Sequence, residues 1–173
     1  MKPFEIIEKD EYYAIKNSHS VVAVIIYTLD DEGLLDKIGV VTEDNPHFQS
    51  GTYTNLVMGK VENEDRSLLQ RAKIETREES GYNVIESERW DFIGELYTSK
   101  IFTDPIYCYS ADVTGLEQGK VEGDGSEHET TLKFKLITLN EAKKINDSIL
   151  QSCFFKLFTN LYKEEFTNYG TSK

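Results

Sequence analysis

The 173-residue chain is poor in cysteine, has no long apolar run and carries few basic side chains. Its two cysteines, Cys108 and Cys153, each lie in an apolar segment typical of a protein core. Such thiols fit buried, reduced side chains better than the disulfide framework of a secreted protein. No stretch approaches the roughly 18 apolar residues of a membrane span, and the charged N-terminus is unlike a signal peptide. We therefore expect a cytoplasmic protein that does not enter a membrane.

The charge balance excludes a further class of partner. Asp and Glu number 31 against 19 Lys and Arg, so the formal net charge is −12. Binding to nucleic acid depends on Lys and Arg that displace counterions from phosphates, so we expect no nucleic-acid partner. For the same reason, a protein with this net charge would bind a polyphosphate through metal ions that lie between the phosphates and its carboxylates. The length and the apolar content of 39 % suit one well-packed domain over residues 1–173.

Apolar runs and turn residues predict a β-sheet with flanking helices. The β-branched run at residues 21–27 and a second run ending at Val41, separated by turn residues, predict a hairpin of buried strands. Residues 1–20 are expected to form an extra strand or an arm, and residues 168–173 a frayed tail. Asn140 is predicted to cap a short helix and Asp147 an amphipathic C-terminal helix. Further strands are predicted at residues 53–58, 84–99, 106–113 and 131–139.

An acidic cluster stands in the segment 59–82, GKVENEDRSLLQRAKIETREESGY. Glu75, Glu78 and Glu79 follow the spacing i, i+3, i+4, which places three carboxylates on one helical face. A helix that needed only solubility would interleave Lys or Arg, because like charges at this spacing repel. Carboxylate oxygens are the hard ligands that Mg²⁺ prefers. The alternative is a solvated acidic helix face that ends at Gly81.

This segment resembles a Nudix box, which ends in the pattern Arg-Glu, an aliphatic residue, any residue, Glu-Glu, any residue, Gly, an aliphatic residue. Aligned on that end, its three glutamates fall on Glu75, Glu78 and Glu79, its last glycine on Gly81 and its closing apolar position on Tyr82. The resemblance extends over most of the chain. It implies an α/β fold, namely the Nudix-type α/β/α sandwich with a mixed β-sheet.

The match departs from the Nudix pattern towards its N-terminal end. Gly59 needs one additional residue before the helix, and Asp65 stands near the first glutamate of the box. Ile74 occupies the place of the arginine that in the family orients the neighbouring glutamate. Lys73 and Arg77 are the candidates to replace that arginine, although Arg77 points elsewhere on the helix.

The resemblance implies a cofactor and a reaction. Mg²⁺, with Mn²⁺ as a substitute, would be held by Glu75, Glu78 and Glu79, and a metal-bound water near a carboxylate base would attack a diphosphate bond. Glu78 is therefore also a catalytic candidate. The resemblance further implies that the N-terminal segment takes part in homodimer contacts.

A fourth acidic group is expected from the loop GDGSEHE at residues 123–129. In the ADP-ribose pyrophosphatase branch of the family, a glutamate in the corresponding loop binds metal or acts as the catalytic base. Glu127 and Glu129 both match that loop, and we favour Glu129 for metal binding and catalysis because it immediately precedes a predicted strand. The alternative is a solvated acidic surface loop.

The segment 96–115 occupies the place of the loop that selects the substrate in the family. Lys100 is a candidate to hold a phosphate, and Phe102 or Tyr97 to stack on a base. Asp104 is a candidate to bind either a ribose hydroxyl or a water molecule that lies outside the ligands of the metal. Gly59 and Lys60, at the start of the box, complete the predicted substrate-binding set. For each of these side chains, ordinary loop packing is the alternative.

The substrate class stays open at this point. ADP-ribose or a nucleotide sugar is the first expectation, because the order of glutamate loop, strand and helix resembles the ADP-ribose branch. Tyr97 stands where that branch has a proline, and a tyrosine there is typical of enzymes acting on diadenosine polyphosphates. A third alternative is a Nudix-fold binding or regulatory domain without turnover. Ile74 favours that alternative, and the three retained glutamates favour the enzyme.

Overall fold

The computed structural model describes residues 4–9, 12–123 and 131–164. A π-helical turn, Thr76–Ser80, extends the first helix, and a 3₁₀ turn, Ser87–Arg89, precedes the seventh strand. In chain order the elements are β1 Phe4–Lys9, β2 Tyr12–Asn17, β3 Val21–Leu29, β4 Leu35–Asp44, β5 Thr52–Asn55, β6 Val57–Lys60, α1 Leu68–Glu75, β7 Trp90–Leu96, β8 Ile106–Asp112, β9 Lys133–Thr138, α2 Leu139–Ala142 and α3 Ser148–Leu161.

Within the described residues, seven strands form a mixed sheet in the order β5-β4-β3-β8-β7, with β6 pairing β3 and β9 pairing β4. Strand β3 pairs parallel with β8 and antiparallel with β4 and β6. Its side chains alternate between two cores, which is why its sequence is continuously apolar. Ala23 and Ile25 pack in the core that contains α3, whereas Val22 and Val24 pack in the core that contains Ala72 of α1. This arrangement confirms the predicted α/β/α sandwich.

The predicted strand at residues 53–58 is wrong in one respect, because the chain forms two short strands there. Strand β5 pairs with β4, and β6 moves across to pair with β3. Between them, the side chain of Asn55 accepts a hydrogen bond from the backbone N–H of Leu56 at 2.7 Å. That bond satisfies a donor which a continuous strand would have paired with a neighbouring strand.

Other boundaries also differ from prediction, and the strand predicted at residues 131–139 is confined to Lys133–Thr138. Thr138, not Asn140, caps the short helix, because its hydroxyl accepts from the backbone N–H of Glu141 while the Glu141 carboxylate accepts from the N–H of Thr138. The strand predicted at residues 84–99 is confined to β7, because the 3₁₀ turn precedes it. Asp147 caps α3 as predicted, accepting from the N–H of Leu150 at 2.7 Å.

The N-terminal segment forms a hairpin of β1 and β2 outside the main sheet. It is attached to the loop between β7 and β8, where the N–H of Ile15 donates to the carbonyl of Ile101 at 2.6 Å and the N–H of Thr103 donates to the carbonyl of Ile15 at 3.0 Å. Both cysteines are buried free thiols, as predicted. None of the helices in the described ranges is long and apolar enough to cross a membrane.

Candidate active site

The predicted acidic helix begins and ends as its sequence dictates. The hydroxyl of Ser67 accepts a hydrogen bond from the N–H of Gln70 at 3.1 Å and caps α1. At the other end, Gly81 takes a left-handed conformation with φ of 77° and donates its N–H to the carbonyl of Arg77 at 3.0 Å. A side chain would be strained at that φ, and a Cβ there would also collide with the carbonyl oxygen of Gly119.

The three glutamates do not share one face equally, because the helix widens after Glu75 into a π-helical turn. A π-helical turn holds more residues than an α-helical turn. Glu79, four residues after Glu75, therefore points more nearly the same way as Glu75, whereas Glu78, three residues after Glu75, points further to the side. Glu75 and Glu79 are accordingly 4 % and 7 % exposed. The side chain of Glu78 is 21 % exposed and lies 3.6 Å from the guanidinium of Arg77.

The carboxylate of Glu75 lies against the backbone of Gly59. A Cβ atom at position 59 would overlap the Cγ, Cδ and Oε1 atoms of Glu75. Gly59 pairs with Val22 in the register of β6 and β3, so the sheet holds it in place. Gly59 was predicted to bind substrate, and the structure assigns it a further function, which is to make room for the Glu75 carboxylate.

Arg71 orients Glu75, and sequence reasoning missed it. Its Nε atom lies 2.7 Å and its Nη2 atom 2.5 Å from Oε1 of Glu75. Burial lowers the pKa of Arg71, but the charge and hydrogen bond of Glu75, together with the charges of Asp65 and Glu78, outweigh burial, so the pKa ends above its usual value. The i, i+4 spacing of Arg71 and Glu75 was the available signal.

The two basic residues proposed from the sequence make other contacts. Lys73 donates to the carbonyl of Ile85 at 3.0 Å and lies 5.8 Å from the centre of the Trp90 ring. Arg77 is paired with Glu78. Arg71 therefore takes the orienting function that the Nudix pattern gives to the residue at position 74.

Glu79 faces a cavity beside the helix. Its Oε2 atom accepts a hydrogen bond from the backbone N–H of Met58 at 3.3 Å. The cavity has a volume of about 160 Å³, and Glu43, Tyr53, Asn55 and Leu56 are among the residues that line it. The sheet and the carboxylate helix thus enclose a space large enough for part of a small molecule.

The chain approaches the acidic loop directly over the carboxylate helix. The backbone N–H groups of Glu122 and Gly123 both donate to the carbonyl of Glu78 at 3.0 Å. After the loop, the hydroxyl of Thr131 accepts from the N–H of Asp44 at 3.0 Å, and Leu132 lines the cavity that Glu79 faces. Glu127 and Glu129 lie outside the described residues, so their predicted roles stay predictions. The described residues on both sides of them lie at this site.

Comparison with solved structures gives the fold a name. The chain is similar to an ADP compounds hydrolase with a TM-score of 0.62 and 16 % identity over 93 % of this chain and 92 % of that one. It is also similar to the NUDIX domain of Shewanella oneidensis NrtR complexed with ADP ribose, with a TM-score of 0.61 and 14 % identity over 83 % and 88 % of the two chains. The chain has the Nudix fold.

A third similar structure is a C. elegans Ap4A hydrolase, with a TM-score of 0.57 and 18 % identity over 84 % of this chain and 98 % of that one. No protein-family model and no curated protein sequence matches the chain. The Nudix fold is therefore visible in the three-dimensional structure at identities where sequence comparison gives no match.

The donors on this Nudix-type helix suit a hard divalent cation. Glu75, Glu78 and Glu79 offer carboxylate oxygens, and the missing side chain at Gly59 keeps the strand backbone close to Glu75. In the described residues, no three Asp, Glu, His or Cys side chains are gathered as a metal would gather them. Glu75 is turned to Arg71 and Glu79 to the N–H of Met58. Asp65, predicted near the first box glutamate, instead accepts from the N–H of Glu62 at 2.7 Å.

The predicted substrate-binding residues are dispersed around one end of the sheet. Lys60 and Ile106 pair on either side of Val21, so the loop before β8 and the start of the box lie at the same end. Lys60 is exposed and 3.6 Å from Glu62, and Lys100 is exposed.

The other three predicted residues contact the hairpin or α3 rather than the carboxylate helix. Asp104 accepts from the N–H of Asn17 at 2.9 Å, and Phe102 forms an isolated bridge with Ile15. Tyr97 lines a groove against Phe155 and other residues of α3, on the face opposite α1. Their substrate contacts stay predictions.

Proposed function

We propose that this protein is a Mg²⁺-dependent hydrolase that cleaves a diphosphate bond in a nucleoside diphosphate derivative. ADP-ribose or a nucleotide sugar is the proposed substrate, and Mn²⁺ is expected to substitute for Mg²⁺. The proposal is supported by one observation above all. Two almost fully buried carboxylates, Glu75 and Glu79, stand on successive turns of one helix, and Gly59 makes room for the carboxylate of Glu75.

Burial of charge is unfavourable unless the charge is paired and hydrogen-bonded. Arg71 holds Glu75 through two nitrogens, and the N–H of Met58 holds Glu79, so the structure fixes both groups before any ligand arrives. Glu78 is more exposed and reaches solvent beside them. We propose that these three side chains hold the cation.

In this proposal the cation, the residues that hold Glu75 and the acidic loop have separate roles. Bound Mg²⁺ would offset the negative charge that develops on the diphosphate and lower the pKa of a coordinated water. Arg71 and Gly59 keep Glu75 in position. The loop that carries Glu127 and Glu129 leaves the carboxylate helix at Gly123 and returns to the sheet at Thr131, which supports Glu129 as the fourth acidic group.

Dinucleoside polyphosphate hydrolysis is the second candidate. Tyr97 at the expected proline position favours it, and one of the similar structures is an Ap4A hydrolase. A Nudix-fold binding domain without turnover is less well supported now, because Arg71 supplies the orienting charge whose loss at Ile74 was the reason for that alternative.

A substrate panel tests the proposal. The purified protein is incubated with ADP-ribose, a nucleotide sugar and diadenosine polyphosphates, each with Mg²⁺, with Mn²⁺ and with a chelator. We expect ADP-ribose to give AMP and ribose 5-phosphate only when metal is present. Preferential cleavage of diadenosine polyphosphates would establish the second candidate, and metal-dependent binding without products would establish the third.

We also propose a cytoplasmic homodimer. Buried free thiols support a reducing compartment. The hairpin of β1 and β2 supports the dimer, because Phe4, Ile6, Tyr12 and Tyr13 are between 50 % and 81 % exposed. Sedimentation analysis of the chain before and after replacement of Ile6 and Tyr13 by Ser tests the dimer, which should dissociate on replacement.

A further inference from the structure

The cavity beside Glu79 contains a carboxylate that the proposed reaction does not use. Glu43, near the end of β4, lines this cavity together with Glu79 and stands opposite Tyr53 in the register of β4 and β5. Its side chain is half-buried. Among the described residues it has no hydrogen bond or ion pair, whereas Glu79 accepts one from Met58.

The other polar side chains among the described residues that line the cavity are engaged with the protein. Asn55 donates to the phenol oxygen of Tyr53 at 3.0 Å and to the sulfur of Met58 at 3.1 Å, while its carbonyl accepts from the N–H of Leu56. Tyr53 donates to the carboxylate of Asp147 at 2.6 Å. Burial and that hydrogen bond hold the pKa of Tyr53 well above its usual value, so the phenol keeps its proton. Glu43 is therefore the main polar group directed to a ligand.

The charge and shape of the cavity restrict that ligand. Among the described residues, its lining contains Glu43 and Glu79 and no Lys or Arg, so away from the cation that Glu79 would help to hold, the cavity offers a phosphate group no positive partner. A carboxylate accepts hydrogen bonds and does not donate them, so the ligand must present donors such as hydroxyl groups. Val41, Leu56, Met58 and Leu132 supply the apolar part of the wall.

Size agrees with one ring. The cavity measures about 160 Å³, and a protein cavity of about 150 Å³ holds a single six-membered ring. The ring of Tyr53 is already stacked on Phe48, with centroids 4.5 Å apart, so one of its faces is covered. Stacking of a nucleobase therefore has less support here than hydrogen bonding by a polyhydroxylated ring.

We propose that this cavity binds the sugar joined to the nucleoside diphosphate, and that Glu43 selects it by accepting hydrogen bonds from its hydroxyl groups. The inference rests on the proposed diphosphate hydrolysis and specifies its substrate class. The nucleoside and the diphosphate then lie outside the cavity, with the diphosphate at the carboxylate helix. Glu43 is a binding residue in this account and not a catalytic one.

Direct binding tests the inference without turnover. Calorimetry with the α,β-methylene analogues of ADP-ribose and of ADP, in Mg²⁺, compares the wild type with Glu43→Gln and Glu43→Asp. Loss of one charge-assisted hydrogen bond is expected to weaken the ADP-ribose analogue about tenfold or more in Glu43→Gln. Binding of the ADP analogue should stay within twofold. Glu43→Asp keeps the charge and should weaken the ADP-ribose analogue less.

Glu32→Gln, an exposed glutamate in the turn between β3 and β4, is the matched control and should bind both analogues as the wild type does. Equal weakening of both analogues by Glu43→Gln would place the nucleoside in the cavity and overturn the inference. Unchanged binding of both would also overturn it, while hydrolysis in the substrate panel would still support the proposed function. Failure of the wild type to bind either analogue would overturn both together.

Discussion

The side chain of Glu75 occupies the space in which a Cβ atom on residue 59 would lie, so Gly59 and Glu75 fit only as a pair. The glycine is required here by close approach and not by a left-handed backbone. The contact joins the end of β6 to the last α-helical turn before the helix widens. It thereby fixes a buried carboxylate relative to the sheet.

Gly59→Ala should destabilise the protein and reduce its activity. The added methyl group forces the Glu75 carboxylate away, and overpacking of this kind costs about 1 to 3 kcal/mol. The measurement is chemical unfolding of Gly59→Ala, Glu75→Ala and the double variant. In the Glu75→Ala background the alanine at position 59 should cost much less, because its collision partner is gone. Equal costs in both backgrounds would contradict the contact.

Arg71→Met should be more damaging than Arg77→Met. Removing Arg71 leaves the buried Glu75 carboxylate without its ion-pair partner, which costs about 3 kcal/mol for buried pairs. Arg77 is exposed, and its pair with Glu78 at 3.6 Å is of the kind worth under about 1 kcal/mol. Urea unfolding of both variants gives the comparison. Similar losses of stability would mean that Arg71 does not hold Glu75 in solution.

The sequence predicted the carboxylate helix, its end at Gly81 and the burial of β3, because these depend on local spacing and on apolar pattern. It did not predict the contact of Arg71 with Glu75, because the Nudix pattern places the orienting arginine at position 74. The π-helical turn after Glu75 was not predicted either. A π-helical turn has no signal in residue spacing.

The division between β5 and β6 was missed for a related reason. The sequence predicts one strand at residues 53–58. Only the tertiary structure shows that β5 pairs with β4 and β6 with β3. The polar side chain of Asn55 makes the change of partner possible by satisfying the N–H of Leu56. The cavity beside Glu79 likewise depends on residues of β4, β5 and β6 and on Leu132, which no local motif connects.

Glu78→Gln and Glu79→Gln should each weaken binding of Mn²⁺, measured by electron paramagnetic resonance, by at least about tenfold. Changes to groups that merely support metal ligands already cost ten- to a hundredfold, so loss of an anionic ligand should cost no less. Glu64→Gln, an exposed glutamate in the loop before α1, is the control and should bind as the wild type does. Wild-type affinity in both test variants would remove the metal assignment.

Glu129→Gln should strongly reduce turnover while barely changing affinity for substrate, the behaviour of a group used mainly in the transition state. Glu127→Gln should have the smaller effect, because Glu129 lies closer in sequence to the start of β9 at Lys133. Kinetics of both variants under saturating Mg²⁺ give the comparison. A larger loss in Glu127→Gln would assign the catalytic role to Glu127 instead of Glu129. Wild-type kinetics in both variants would mean that the loop is a solvated acidic surface segment.

The initial rate of AMP release from ADP-ribose tests the central claim most directly. It is measured for the wild type with Mg²⁺, for the wild type with a chelator, and for Glu79→Gln with Mg²⁺. We predict turnover for the wild type with Mg²⁺, none with the chelator, and a loss of at least about a hundredfold in Glu79→Gln, because in the proposed function the buried carboxylates hold the cation that stabilises the developing charge. Undiminished AMP release with the chelator, or at the wild-type rate in Glu79→Gln, would contradict the account.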